Sequence, residues 1–235
     1  MTYDGLYDDE QALGMGPSAQ GCLHAIIMLL VLGVLAGFTA IVHSAWQQTR
    51  GTTETPATPV PLSPYFTDEV LYWSGRIQHW SKIYHLDPYL VATVMQIESC
   101  GNPRAVSHAG ASGLFQVMPY HFAADEDPFN PDTNARRGLT FLREMWRRAD
   151  GDVAKTLAAY NGGPAQLRRA ADAWPWETQR YVRWGTGIYD DARAGRTDTP
   201  TLQSWLHAGG ARLCAHAREV LGLRRNPTPL PTESR

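Results

Sequence analysis

A long apolar run extends from Cys22 to Val42 and contains no Asp, Glu, Lys or Arg. About 21 residues, at a rise of about 1.5 Å each, span about 30 Å, which is the thickness of the hydrocarbon core of a bilayer. A helix buried in a small domain rarely stays apolar on every face over such a length, so a core helix is the weaker interpretation. The run predicts a transmembrane anchor over 22–42, preceded by a short N-terminal tail over 1–21.

The residues that flank this run bear on whether it is retained and how it is oriented. The first ten residues are acidic, whereas a cleaved signal peptide begins with basic residues, so retention as an anchor is favoured. Arg50 lies just after the run, and the positive-inside rule applied to this single charge mildly favours the cytoplasm for the residues that follow.

Residues 43–66 separate the anchor from the rest of the chain. Most of this segment is rich in Thr and Pro and lacks apolar periodicity, which is typical of an extended, semi-rigid spacer. We therefore predict a linker over 43–66.

Beyond the linker, apolar residues recur every three or four positions, as in amphipathic helices. Asp87 and Pro88 form a strong helix start, because the Asp side chain can cap free N–H groups and Pro at the first position loses no hydrogen bond. No stretch shows sustained alternation with a period of two, so the domain should be mainly α with little or no sheet. Helices are predicted from Asp68 to Tyr84, from Pro88 to Glu98, and over about 132–149, 152–160, 164–173 and 176–190.

The C-terminal part, 193–235, contains one further helical pattern over about 200–223. This helix is expected either to pack on the domain or to lie outside it, and it is followed by a frayed tail.

Composition and cysteine usage narrow the possible partners. The net charge is −2 and charged residues make up 19% of the chain, so no nucleic-acid partner is indicated. The three cysteines, Cys22, Cys100 and Cys214, lack the paired spacing of zinc sites, and no metal is expected. Cys100 and Cys214 are the one candidate disulfide pair if the domain lies outside the cytoplasm, but the sequence alone leaves the bridge open.

Glu98 is the first candidate for chemistry. It ends a helix of apolar residues and is followed by Ser99, Gly101 and Pro103, which break the helix. Apolar neighbours disfavour the charged form of a carboxylic acid, which raises its pKa and keeps a proton available near neutral pH. Such a group suits general acid catalysis.

Three motifs follow one another around this residue: E-S-x-G-x-P from Glu98, G-L-F-Q-x-M-P from Gly113 and A-Y-N-G-G-P from Ala159. Together they resemble the soluble-type, lysozyme-like lytic transglycosylases (SLT domain), whose motifs read E-S, G-L-M-Q and A-Y-N in this order. The resemblance extends over about 72–189, and it includes Asn134, Gly138 and the late E-T-x-x-Y-V that begins at Glu177.

The resemblance implies a lysozyme-like (goose-type lysozyme / SLT) helical fold over 67–192 and an enzyme of peptidoglycan. Glu98 would protonate the glycosidic oxygen of the MurNAc–GlcNAc β-1,4 bond and then act as base, giving 1,6-anhydro-MurNAc ends without water. No cofactor is expected, the glycan strand is the partner besides the bilayer, and the protein would work as a monomer. The domain would lie outside the cytoplasm, facing the cell wall, because its substrate exists only there.

The resemblance also implies supporting roles for six residues. Tyr160 is expected to hydrogen-bond Glu98 and support catalysis. Ser99, Gln116 and Asn161 offer neutral donors and acceptors for acetamido and hydroxyl groups, and Tyr181 is a candidate substrate contact. Phe115 stands where the family usually has Met, so the saccharide subsite that it is expected to line would be reshaped.

Two alternatives stay open. A lysozyme-like muramidase would use water and a second acid, for which Asp125, Glu126 and Asp127 are candidates. An inactive glycan-binding tether would keep the fold and bind the wall without cleaving it.

Overall fold

The structure, a computed structural model, describes residues 61–224. This part is mainly helical, as predicted, and isolated β-bridges at Val106, Ser112 and Val117 are the only β-pairing in the described residues. The helices are α1 (Asp68–Leu71), α2 (Ser74–Tyr84), α3 (Pro88–Glu98), α4 (Pro131–Arg148), α5 (Val153–Gly162), α6 (Trp176–Arg193), α7 (Pro200–Trp205) and α8 (Ala211–Leu221), with a π-helical turn over Leu206–Gly210 and short 3-10 turns over Pro119–His121, Pro164–Arg168 and Ala171–Ala173.

The predicted N-terminal tail, the anchor over 22–42, most of the linker and the end of the C-terminal tail lie outside the described residues. Within 61–224, none of the helices has the length and apolar character needed to cross a bilayer.

Side-chain caps explain why three of these helices start where they do. The carboxylate of Asp87 accepts a hydrogen bond from the backbone N–H of Tyr89 at 2.9 Å, with Pro88 at the first position of α3. Asn130 likewise caps α4, and Asp152 caps α5. Each cap satisfies N–H groups that have no partner inside the helix, and each is worth about 0.5–2 kcal/mol.

The predicted single helix from Asp68 to Tyr84 is two helices, α1 and α2. The break falls at Trp73, whose backbone leaves helical geometry with φ −92° and ψ 4°. The indole N–H of Trp73 donates a buried hydrogen bond to the carbonyl of Gly101 at 2.8 Å. This contact ties the break to the loop that follows Glu98.

Helix α3 forms the centre of the core. Its residues Leu90, Val91, Val94 and Met95 are at most 1% exposed, and α3 packs against α2 and α6, while α5 packs against α4 and α6. Because the helix is almost wholly apolar and packed against others, its last residue, Glu98, is held partly buried at the edge of the core.

The folded unit includes the end of the predicted linker. Leu62 and Phe66 are 3% and 4% exposed and belong to the hydrophobic core. The prediction of an extended spacer over 43–66 is therefore wrong for its last residues. Burial removes the apolar surface of these two side chains from water, and this favours a packed conformation over an extended one.

The C-terminal segment is packed on the domain rather than lying outside it. Cys100 and Cys214 form a disulfide with their Cα atoms 5.0 Å apart, so the pairing left open by the sequence is made. Next to it, the buried carboxylate of Glu69 pairs with Arg218 at 2.6 Å. These two links fasten α8 to α1 and to the loop after α3.

Replacing Cys214 by Ser should lower the free energy of unfolding by about 2–5 kcal/mol, because the bridge closes a loop of 114 residues in the unfolded chain. Urea unfolding of the full chain, with and without reductant, measures the difference. Reduced wild-type protein should behave like the variant, and equal midpoints for oxidised wild type and Cys214→Ser would contradict the prediction.

Candidate active site

Glu98 lies at the C-terminal end of α3, where the core meets two cavities. Its carboxylate accepts a hydrogen bond from the hydroxyl of Tyr181 at 2.8 Å. Burial raises the pKa of Glu98 from 4.5 to about 8; the Tyr181 hydrogen bond opposes this shift and the negative charge of Glu177 adds to it. Glu98 therefore carries a proton near neutral pH, as the apolar sequence before it predicts.

The phenol that contacts Glu98 is Tyr181 and not Tyr160, so the predicted hydrogen bond from Tyr160 is wrong. The Tyr160 hydroxyl donates instead to the backbone carbonyl of Phe115 at 2.8 Å. Tyr181 reaches Glu98 because α6 packs directly on α3. Burial, followed by the charge of Glu98, holds the pKa of both phenols well above 10, so both remain neutral donors.

Asn134 shapes the turn that carries Gln116. This fully buried side chain accepts a hydrogen bond from the Phe115 N–H at 2.9 Å and donates to the carbonyls of Ser112 and Pro128 at 2.7 and 3.0 Å. The donors and the acceptor of the Asn134 amide are thus all engaged. They pair with backbone groups of the turn that would pair with a neighbouring strand in a β-sheet.

Gln116 sits at the tip of that turn with a left-handed backbone, φ 47°. Its side-chain amide donates to the carbonyls of Ala105 and Gly113 at 3.3 and 3.1 Å. The residue lines the larger of the two cavities beside Glu98, which is described below. Gln116 is thus placed beside the same cavity as Glu98, with its amide N–H groups engaged by the protein.

Two other predicted substrate contacts are not at the surface of either cavity. Ser99 is 0% exposed, and its hydroxyl donates to the carbonyl of Leu114 at 2.7 Å while accepting from the Gly101 N–H. Phe115 is also 0% exposed and packs edge-on against Trp80. Both side chains hold the loops in place from inside, and their substrate-binding roles stay predictions.

Asn161 lines both cavities and is oriented by a neighbour. The Thr178 hydroxyl donates to the side-chain carbonyl oxygen of Asn161 at 2.9 Å. Because the acceptor end of the amide is engaged, the NH₂ end is the one available to a bound molecule. Thr178 belongs to the E-T-x-x-Y-V motif, but its contact with Asn161 was not predicted from the sequence.

The larger cavity, of about 480 Å³, extends from Glu98 along α4 and α5. Part of its lining is a chain of touching rings formed by Tyr120, His121, Phe141 and Tyr160, with centroids 4.5–5.6 Å apart. Aromatic faces together with amides and hydroxyls form a surface suited to a polar molecule that has apolar faces.

The smaller cavity, of about 370 Å³, lies on another side of Glu98. Glu98, Asn161 and Glu177 line both cavities, so the two meet at these residues. Tyr181, the candidate substrate contact, also lines the smaller cavity from the first half of α6. The wall formed by Trp205, Ala208, Gly209, Gly210 and Leu213 was not predicted, because no motif marks the C-terminal segment.

The three acidic residues proposed as a second acid do not line either cavity. Glu126 instead bonds Arg137 through both oxygens at 2.8 Å, and this pairing lowers the pKa of Glu126 to about 2. Among the described residues that line the two cavities, Glu177 is the carboxylate that accompanies Glu98. Glu126 is thus an ionised structural group, and its candidacy as a second acid is wrong.

One cluster of potential metal ligands occurs in the described part of the chain, formed by Glu69, Cys100 and Cys214. The two cysteines are joined as a disulfide and Glu69 is paired with Arg218, so the cluster offers no thiolate ligands.

Comparisons with known proteins agree with this arrangement. Residues 75–181 match the family model described as "Transglycosylase SLT domain". This part of the chain is thus similar to SLT domains, as the motifs predict.

Two curated relatives and one solved structure illustrate the similarity. A "Transglycosylase" of Enterobacteria phage PRD1 is 40% identical over 116 residues, which cover 46% of this chain and 42% of that protein. "Membrane-bound lytic murein transglycosylase C" of Sodalis glossinidius is 28% identical over 143 residues, covering 52% and 40%. The 70 kDa soluble lytic transglycosylase of Escherichia coli matches with a TM-score of 0.47 and 25% identity, covering 61% of this chain and 26% of that one. The chain thus spans about two fifths of the length of the curated relatives it matches.

Replacing Tyr181 by Phe should raise the pKa of Glu98 above about 8, because the phenol hydrogen bond stabilises the charged carboxylate and its loss favours the protonated form. Tyr160→Phe is the matched control, since it removes a hydrogen bond to a backbone carbonyl and should leave the pKa of Glu98 in place. NMR titration of ¹³C-labelled glutamate, with Glu98→Gln to assign the resonance, measures both. Equal shifts in the two variants would contradict the geometry.

Proposed function

We propose that this protein is a peptidoglycan lytic transglycosylase that uses Glu98 as its acid and then its base. The observation that carries the proposal is a protonated carboxylic acid located where two cavities meet. A glycan strand that occupies both cavities would bring the oxygen of one glycosidic bond to Glu98. The names of the relatives, a transglycosylase and a lytic murein transglycosylase, support the same substrate.

The proposed reaction needs no water. Glu98 donates its proton to the glycosidic oxygen, the bond from C1 to that oxygen breaks, and the departing sugar leaves as an alcohol. The carboxylate then takes the proton of the C6 hydroxyl while that oxygen attacks C1, which closes a 1,6-anhydro ring and restores the protonated acid. The N-acetyl group of the sugar stabilises the cationic centre, in the place of a second carboxylate.

The surrounding residues fit this sequence of steps. Tyr181 holds the rotamer of Glu98 and stabilises the carboxylate that forms after the first proton transfer. The amide of Asn161, oriented by Thr178, is placed to donate to a carbonyl or hydroxyl oxygen of the sugar. Tyr160 acts on the site indirectly, by holding the backbone of Phe115.

A muramidase is the second candidate, because Glu177 lines both cavities together with Glu98. An exposed carboxylate on the opposite side of the bond could activate water, as in inverting glycosidases. A glycan-binding tether is less well supported, since a binding module has no need of an acid whose pKa is raised to about 8.

We also propose where in the cell the protein lies. We infer that residues 22–42 anchor the chain in the cell membrane and that the SLT domain faces the cell wall. The disulfide between Cys100 and Cys214 supports this placement, because such bridges persist in oxidising compartments.

Glu98→Gln should abolish the release of muropeptides from purified peptidoglycan, with a loss of at least about a hundredfold because the amide has no proton to donate. Glu144→Gln is the matched control, since Glu144 makes a surface ion pair with Arg147 and lines neither cavity. Mass spectrometry of the wild-type products should find 1,6-anhydro-MurNAc ends. Reducing ends formed with uptake of water would identify a muramidase. If the wild type released no products, the glycan-binding tether would be the remaining candidate.

A further inference from the structure

The smaller cavity beside Glu98 has one wall that the matched domain does not supply. The match ends at residue 181, whereas this wall consists of Trp184, Trp205, Ala208, Gly209, Gly210 and Leu213. Most of it is the π-helical turn and the helix ends on either side of that turn. The C-terminal segment therefore forms part of the cavity that contains the candidate acid.

The wall is held at a defined position. Leu213 precedes Cys214, whose disulfide partner Cys100 lies two residues after Glu98. Arg218, about one turn further along α8, pairs with Glu69 at 2.6 Å and with Asp68 at 3.2 Å. The disulfide thus fixes this segment to the loop that directly follows Glu98, and the ion pair with the buried Glu69 fixes it to α1.

The turn itself is tightly packed. A side chain on Gly210 would come within 2.4 Å of the ring of Trp205, so the backbone lies directly against the indole. Gly209 has φ 123°, a conformation that residues with a side chain rarely adopt, and a side chain there would meet nothing within 4 Å. The chain is therefore bent around Trp205 and leaves open space next to Gly209.

The lining combines apolar surface with charge. Trp184 is half-buried, and the guanidinium of Arg183 lies 4.9 Å from its ring centroid. Arg180 and Glu177, both exposed, add a positive and a negative group to the same cavity. Sugars present apolar C–H faces and ring hydroxyls, which match aromatic and aliphatic side chains on one hand and charged hydrogen-bonding groups on the other.

We propose that the segment Trp205–Leu213 forms a saccharide subsite, which binds a sugar of the glycan strand on one side of the bond that Glu98 cleaves. This inference rests on the glycan substrate of the proposed function and extends it beyond the matched domain. The larger cavity holds the sugars on the other side of the bond. The C-terminal segment is therefore a substrate-binding element as well as a structural support.

Ala208→Trp tests the subsite, because Ala208 is exposed and lines the smaller cavity, so that a large side chain there would occupy space that a sugar needs. Ala215→Trp is the matched control: Ala215 is also exposed and lines a separate cavity beside Arg218 that does not contain Glu98. Both are made in full-length Glu98→Gln protein, so that the glycan stays uncleaved. Calorimetry measures binding of a hexasaccharide of the alternating GlcNAc–MurNAc strand.

Ala208→Trp should weaken hexasaccharide binding by at least about tenfold, which corresponds to about 1.4 kcal/mol, while Ala215→Trp should leave affinity within about twofold. Equal affinities for the two variants, with circular dichroism melts that match the parent, would overturn the subsite. The proposed function is tested separately by the products of the wild type. Wild-type cleavage together with equal binding of the two variants would reject the subsite alone, and the absence of wild-type cleavage would reject the proposed function.

Discussion

The site depends on keeping the carboxyl group of Glu98 out of water while leaving it within reach of a ligand. A charged carboxylate loses solvation when it is buried, and this cost is what moves its pKa from 4.5 to about 8. The Tyr181 hydroxyl, 2.8 Å away, limits the shift by stabilising the charged form. The same group can therefore release and recover a proton near neutral pH, which is what an acid that later acts as a base requires.

The rest of the described fold serves this placement. Helix α3 packs against its neighbouring helices, and its last residue, Glu98, is partly buried at the edge of the two cavities. Asn134, Ser99 and Tyr160 then hold the loops around Glu98 through hydrogen bonds to backbone atoms. Gly138 allows α4 to approach closely, because a side chain there would meet the Phe115 Cβ atom at 2.6 Å and the Tyr160 hydroxyl at 3.2 Å. Preorganisation of this kind keeps a catalytic group in one rotamer without energy being spent at the moment of reaction.

The features that the sequence predicted correctly depend on residues that are close together in the chain. The Asp87–Pro88 helix start, the apolar periodicity of α3 and the helix-breaking residues after Glu98 were sufficient to place an acid with a raised pKa at a helix end.

Contacts between distant residues were harder to predict. Tyr160 and Tyr181 are both phenols in motifs, and which of them reaches Glu98 depends on how α6 crosses α3. Ser99 and Phe115 also looked available in the sequence, but the turns direct both side chains inward. Cys100 and Cys214 were the one candidate disulfide pair, but with 114 positions between them the sequence could not show that they meet. The cavity wall around Gly209 carries no motif and was not predicted.

The pH dependence of kcat/KM for wild-type cleavage of peptidoglycan tests the role of Glu98 most directly, because this quantity reports the ionisation of essential groups in the free enzyme. If Glu98 must be protonated to act as the acid, activity should persist through neutral pH and fall as pH rises through about 8, where the carboxyl loses its proton. A fall in activity between about pH 4 and pH 5, the range of an ordinary exposed glutamate, would contradict the account.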